Sequence, residues 1–239
     1  MNISFSGKVA LVAGGTGGLG RAVSLAFLRE GASVIVTYLK QQEFDALRSA
    51  AASDAPALEG RMVDITDERA VADLVESTLS RRRQLDAVVN TIGGYAGGIK
   101  LWDLETKVFE AMLSLNLRAG FALARAVMPA MLKQRRGSFV NIAAKAAFDH
   151  GAGAAAYAAS KAAAVAMMDS LAADAIGTGV RVNSVLPSII DTAANRQAMP
   201  GSNFDKWPKP EDIAQVILFL SSDAAKAIHG ASIPVYGNN

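Results

Sequence analysis

At 239 residues, 51% of them hydrophobic and with a formal charge of +2, the chain can bury a sizeable core and gives little electrostatic reason to bind nucleic acid or an anionic membrane surface. It has no cysteine for a disulfide or a thiolate metal site, and its two histidines, His150 and His229, stand too far apart to suggest a metal centre. MNISFSGKVAL at the start lacks the apolar region of a signal peptide and no run of about 18 apolar residues follows, so a cytoplasmic protein with a small-molecule substrate is expected.

Short β-branched runs alternate with amphipathic ones along the whole chain. KVALVA reads as a first strand, followed by a helix from Leu19 to Glu30, the strand SVIVTY and a helix from about Gln41 to Ala52. RMVDI then precedes a helix over Glu68 to Ser80, whose end carries Arg81, Arg82 and Arg83, cations that favour a helix C-terminus. LDAVVN leads to a long helix from about Lys107 to Lys133. GSFVNIA, the helix containing Tyr157, VRVNSVL, a helix from near Pro210 and a short strand around ASIPVY complete the pattern. Such alternation predicts an α/β fold in one domain over 1–239, with a doubly wound parallel sheet of about seven strands covered on both faces. The irregular stretch 188–210 follows the C-terminal end of a strand, the edge where such sheets bind ligands, and is expected to be a substrate lid.

AGGTGGLG, residues 13–20, joins the first strand to the first helix. Gly15, Gly17 and Gly20 fit G-x-G-x-x-G, while Gly14, Gly18 and Gly20 fit the wider G-x-x-x-G-x-G. A tight turn alone would also use glycines, but between a strand and an amphipathic helix they point to a pyrophosphate against the helix N-terminus. The second strand ends Thr37-Tyr38-Leu39-Lys40, with no carboxylate to repel a 2′-phosphate and with Lys40 available to pair with one. NADP(H) is therefore favoured over NAD(H), although Glu43 could still reach the ribose.

AGGTGGLG, Asp64 in VDITD, NTIGG at 90–94, Asn116 in SLNLRAGF, YAASK at 157–161 and LPSIIDT at 186–192 occur in the order in which the short-chain dehydrogenases/reductases carry such motifs, and the chain resembles that family over nearly its whole length. The resemblance implies a Rossmann-like fold whose cofactor is met by Gly14, Thr16, Gly18, Leu19, Gly20, Tyr38, Lys40, Asp64, Ile65, Asn90, Gly93, Tyr157, Lys161, Pro187, Ile190 and Thr192. Within that set Asp64 would contact adenine and Thr192 the nicotinamide carboxamide. It further implies Tyr157 as the catalytic acid, Lys161 stabilising the phenolate and bonding the nicotinamide ribose, and Asn116 holding a water that links Lys161 to solvent. The chemistry agrees: hydride transfer leaves negative charge on a bound oxygen or nitrogen, an acid must protonate it, and a lysine one turn away should lower a tyrosine pKa from about 10. By the same resemblance a homodimer or homotetramer would form through the helices containing Asn116 and Tyr157.

One position departs from the family. About 13 residues before the tyrosine, where a serine is usual, NIAA places Ala144, and the nearest serines are Ser138 and Ser160. GGYAGG (93–98), AKAAFD (144–149) and LPSIIDTAANRQAMPGSNFDKW (186–207) resemble dihydropteridine reductase, a family member that also carries alanine there and whose quinonoid substrate, a conjugated imine, needs less polarisation than a ketone. Lys145 and His150 are the polar residues that could replace the hydroxyl, and Tyr95, Met199, Phe204 and Trp207 could stack on a flat substrate or pack beneath the lid. Three readings stand: an NAD(P)H-dependent reductase of an activated C=N or C=O, such as a quinonoid dihydropterin; an ordinary ketone or 3-oxoacyl-thioester reductase; and an inactive NAD(P)-binding regulator.

Overall fold

A computed structural model describes residues 3–238 of the chain. Seven parallel strands, β1 (Val9–Ala13), β2 (Ser33–Tyr38), β3 (Leu58–Met62), β4 (Ala87–Asn90), β5 (Gly137–Ile142), β6 (Val180–Pro187) and β7 (Ser232–Val235), lie in the order β3-β2-β1-β4-β5-β6-β7. The order reverses between β1 and β4, leaving a crevice at the C-terminal ends of those strands.

The first strand shows why the sheet's sequences are almost continuously apolar. Ala10 and Val12 point into a core shared with Phe27 of α1 (Gly18–Arg29) and Ile217 of α8 (Pro210–Ser221). Val9, Leu11 and Ala13 point the other way, toward Leu74 of α3 (Glu68–Arg82), Leu123 and Met131 of α5 (Ala119–Gln134) and Met168 of α6 (Ala155–Asp174). With helices on both faces, neither side of a strand can be polar. The remaining helices are α2 (Gln41–Ala51), α4 (Thr106–Leu113) and α7 (Ala193–Ala198). Among the described residues no helix is long and apolar enough to cross a membrane.

Two elements differ from the sequence-based expectation. β3 runs over Leu58–Met62 rather than RMVDI, because the Asp64 carboxylate accepts from Thr66 N–H (2.8 Å) and Thr66 Oγ1 (2.7 Å) and turns the chain out of the sheet. The long helix expected over 107–133 is broken by a π-helical turn, Ser114–Arg118, which joins α4 to α5 and turns the Asn116 side chain inward. The arginine run does more than end α3: Arg81 and Arg82 pair with Glu59 on β3, at 3.0 and 3.3 Å, and Arg83 forms the left-handed C-cap at φ 61°.

Candidate active site

Sterics build the crevice's phosphate loop. Gly14 leaves β1 at φ +74°, where its N–H donates to Thr37 Oγ1 (2.9 Å), and Thr91 Oγ1, beyond β4, donates to Ala13 O (2.6 Å). A Cβ on Gly20 would sit 2.0 Å from Gly14 O, so only glycine lets the first turn of α1 press against the strand end. Gly17, the N-cap, brings no side chain to the turn, and the amides and positive end of α1 face the crevice as a pyrophosphate requires. A Cβ on Gly18 would come 2.8 Å from Thr192 Cγ2, so Thr192 packs directly against this loop. The cradle fits a dinucleotide.

Beyond β2, where the resemblance places the adenosine, a lysine and a carboxylate meet. Lys40 Nζ pairs with Glu43 Oε1 at 3.1 Å, and Thr16 Oγ1 donates to Glu43 Oε2 at 3.2 Å, so a carboxylate stands beside the loop although none ends β2. Tyr38 donates to Gln41 Oε1 (2.8 Å) and stacks on Phe44, while Asp64 holds its turn at the surface above the buried Ile65. Leu19 is buried in the core beneath the loop.

Tyr157 and Lys161 lie one turn apart on α6, and the structure surrounds them with polar contacts from three other segments. Lys161 is buried and its Nζ donates to Ile142 O at the end of β5 (3.0 Å). Asn116 clamps the loop after β4: its Oδ1 accepts from Gly94 N–H and its Nδ2 donates to Gly94 O, both at 3.0 Å. The same Nδ2 lies 3.0 Å from Ser160 Oγ, which donates to Tyr157 O at 2.8 Å. A Cβ on Gly93 would be 3.0 Å from both Asn116 Oδ1 and Lys161 Nζ, so the two groups crowd one face of that glycine. Asn90 donates to Asn141 Oδ1 (2.9 Å) and accepts from Ile92 N–H, tying β4 to β5 under the site. Sequence reasoning set Ser160 aside, yet it is the buried bridge between Asn116 and the tyrosine's helix turn; its i+3 spacing from Tyr157 was the available signal.

The pair's ionisation runs against the expectation that lysine lowers the tyrosine. Burial, and after it Tyr95, pushes the Tyr157 phenol up to about 12, and burial brings Lys161 down to about 8. Tyr157 therefore holds its proton at neutral pH, as a proton donor must. For Lys161 the lowered folded value means that its charge opposes folding fully below pH 8, less as pH rises, and not at all above its usual 10.5. Lys161→Met is expected to stabilise the fold by about 1–3 kcal/mol at pH 7 while abolishing turnover, with the gain vanishing near pH 10.5. Thermal midpoints of the two proteins across that range check it.

Ala144, buried and extended at the end of β5, brings only a methyl group to the position where serine is usual. Lys145 is engaged by Asp149 (3.5 Å) and lies 5.3 Å over the Tyr236 ring, and His150 Nε2 is 3.2 Å from Ala147 O. Tyr95, 68% exposed, sets its ring at 78° to that of Tyr157 with centroids 5.0 Å apart.

The stretch 188–210, expected to be a lid, carries α7 and its own set of side-chain contacts. Thr192 caps α7, accepting from Asn195 N–H (3.2 Å), and Asn195 Nδ2 donates to Ile190 O (2.8 Å). Asp191, its side chain 4% exposed, holds both Arg196 of α7 and Lys209 before α8, and the two cations keep its carboxyl well below the usual carboxylate range. Arg196 also covers the Phe204 ring, which packs against Trp207 at 5.0 Å. Trp207 is buried and serves the lid's own packing, Met199 is half-buried at the end of α7, and Pro187 is buried at the end of β6. The Asp191 clamp escaped the sequence reading because its partners are spread over 18 residues.

What fold and site define together is an oxidoreductase of the dinucleotide-binding type, with Tyr157 one helical turn from the buried Lys161. The chain belongs to the short chain dehydrogenases, whose family profile matches residues 8–203. It is 31% identical to the 3-oxoacyl-[acyl-carrier-protein] reductase FabG of Thermotoga maritima, over 97% of each chain. It is 32% identical to the D-threitol dehydrogenase of Mycolicibacterium smegmatis, over 97% of this chain and 92% of that one. The crystal structure of levodione reductase superposes with a TM-score of 0.91 at 25% identity, covering 98% of this chain and 97% of its own.

Proposed function

We propose that the protein is an NAD(P)H-dependent reductase that protonates, through Tyr157, an activated C=N or C=O as hydride reaches its carbon. The observation that carries this reading is a phenol that keeps its proton one helical turn from a buried lysine, on a helix packed against the turn that Ala144, with no hydroxyl, begins. A nicotinamide dinucleotide held by Gly14, Thr16, Gly18, Gly20, Asn90, Gly93 and Thr192 supplies the hydride when bound. Tyr157 then gives its proton to the substrate's heteroatom, and Lys161, protonated at neutral pH, stabilises the phenolate left behind. Asn116 orders the Gly93–Gly94 segment against Lys161, consistent with its expected part in proton resupply.

A conjugated imine such as a quinonoid dihydropterin tolerates the missing donor better than a ketone does, and this favours it as substrate. The similarity to FabG over 97% of the chain favours the second reading, a ketone or 3-oxoacyl-thioester reductase. NADP(H) is the preferred cofactor in this proposal, because Lys40 lies two residues beyond β2 and the one carboxylate there, Glu43, is paired with it. Self-association as a homodimer or homotetramer in the cytoplasm belongs to the same reading, supported by the apolar groove that Phe121, Met128, Leu132, Met167 and Leu171 line between α5 and α6. NADPH and NADH oxidation at matched concentrations, with quinonoid dihydropterin beside ketones and 3-oxoacyl thioesters, tests the proposal. Turnover of the pterin with NADPH is the expected result, turnover of ketones or thioesters alone selects the second reading, and none on any substrate refutes both.

A further inference from the structure

If Ala144 brings no donor to the site, another group can, and the hydroxyl side chains can be taken in turn. Ser138 is at the far end of β5 and donates to Leu220 O. Ser160 faces inward, to Asn116 and Tyr157 O, and Thr192 is occupied in capping α7. Tyr95 is different. Its ring meets that of Tyr157 edge to face, and among the described residues neither phenol oxygen has a hydrogen-bond partner. The loop that carries it is anchored on both sides, at Gly94 by the Asn116 carboxamide and at Ile99, whose N–H donates to Gly153 O (3.3 Å). Between these anchors Gly97 makes room for the phenol: a Cβ there would lie 2.0 Å from Tyr95 Oη and 2.4 Å from its Cζ. No other residue type could stand at 97 with Tyr95 in this position.

We propose that Tyr95 is the second hydrogen-bond donor to the substrate's reacting oxygen or nitrogen, doing from the β4 loop what a serine at position 144 would do from β5, with Gly97 setting its place. The inference rests on the reductase reading above. Hydride adds to the substrate carbon, the π electrons move to the heteroatom and the proton comes from Tyr157; Tyr95 keeps its own proton and only stabilises the developing charge. A phenol brings a ring as well as a hydroxyl, so the substrate class it suits is a flat conjugated C=N or C=O compound.

Tyr95→Phe keeps the ring contact and removes the hydroxyl. With quinonoid dihydropterin or a 3-oxoacyl thioester, whichever the wild type reduces, it is expected to lower kcat by at least about tenfold, toward the 10²-fold typical of losing one positioned donor, with KM little changed. In an Ala144→Ser background the same substitution should cost less than about threefold, since the serine then donates. Gly97→Ala, which displaces the phenol without removing it, should lower kcat in the same direction. The inference is overturned if Tyr95→Phe leaves kcat within about twofold, if it changes KM alone, or if its effect is equal with and without Ser at 144. A wild type that reduces neither substrate would overturn the reductase reading and this inference with it, whereas an active wild type with an unaffected Tyr95→Phe overturns this inference only.

Discussion

Tyr157→Phe is expected to lower turnover by about 10²–10⁴-fold while leaving NADPH affinity within about threefold. Phenylalanine preserves the edge-to-face contact with Tyr95 and the helix turn that Ser160 anchors through Tyr157 O, so the substitution isolates one hydroxyl. Turnover with saturating substrate, and binding followed by NADPH fluorescence, separate the two effects. Retention of most of the activity would mean that the proton comes from elsewhere and would remove Tyr157 from the mechanism. The pH profile of the wild type carries a companion signature. Tyr157 stays protonated to about 12 but Lys161 only to about 8, so reduction should decline as pH rises through 8, reporting the lysine rather than the tyrosine.

The second large effect is expected from Ala144→Ser, which should raise kcat on plain ketones about 10- to 100-fold and change kcat on quinonoid dihydropterin less than threefold. One positioned donor contributes about 2.7–4 kcal/mol where the substrate depends on it, and the gain here lies at or below the lower end of that range because Tyr95 already supplies one. Ala144 is buried and extended at the end of β5, and a serine adds a single oxygen there. Kinetics on both substrates in parallel decide the matter. A gain on ketones alone would show a site whose chemistry was narrowed by removing a hydroxyl. Unchanged ketone turnover would show that position 144 does not face the reacting heteroatom in this protein.

Much of this molecule is written in local sequence. The alternation of β-branched and amphipathic runs specifies strands and helices because each needs only its own neighbours: SVIVTY is β2 from first to last residue, and the helix expected from Gln41 ends within one residue of its predicted limit. The phosphate loop is legible for the same reason, since Gly14 is dictated by its own positive φ and Gly20 by contact with the carbonyl of Gly14, six residues before it. The Tyr157–Lys161 pair and the absence of serine at 144 follow from spacing along the chain.

Other features depend on distances that spacing does not contain. VDI in RMVDI reads as strand, but the Asp64 side chain captures Thr66 and ends β3 earlier. Asn116 faces the site only because a π turn interrupts its helix, and Lys40 is paired because Glu43 folds back beside Thr16. Most telling is the ionisation of the central pair. Four-residue spacing predicts a tyrosine lowered by its lysine, whereas burial raises the one and lowers the other. Sequence by itself determined the order of elements, the glycine cradle and the residue types available for chemistry, because those rest on short-range sterics and periodicity. Tertiary structure decided which of those residues meet, from Ser160 under Tyr157 to Tyr95 beside it and Asp191 clamping the lid, and how dry each becomes, because burial and contact arise only when segments distant in the chain pack together.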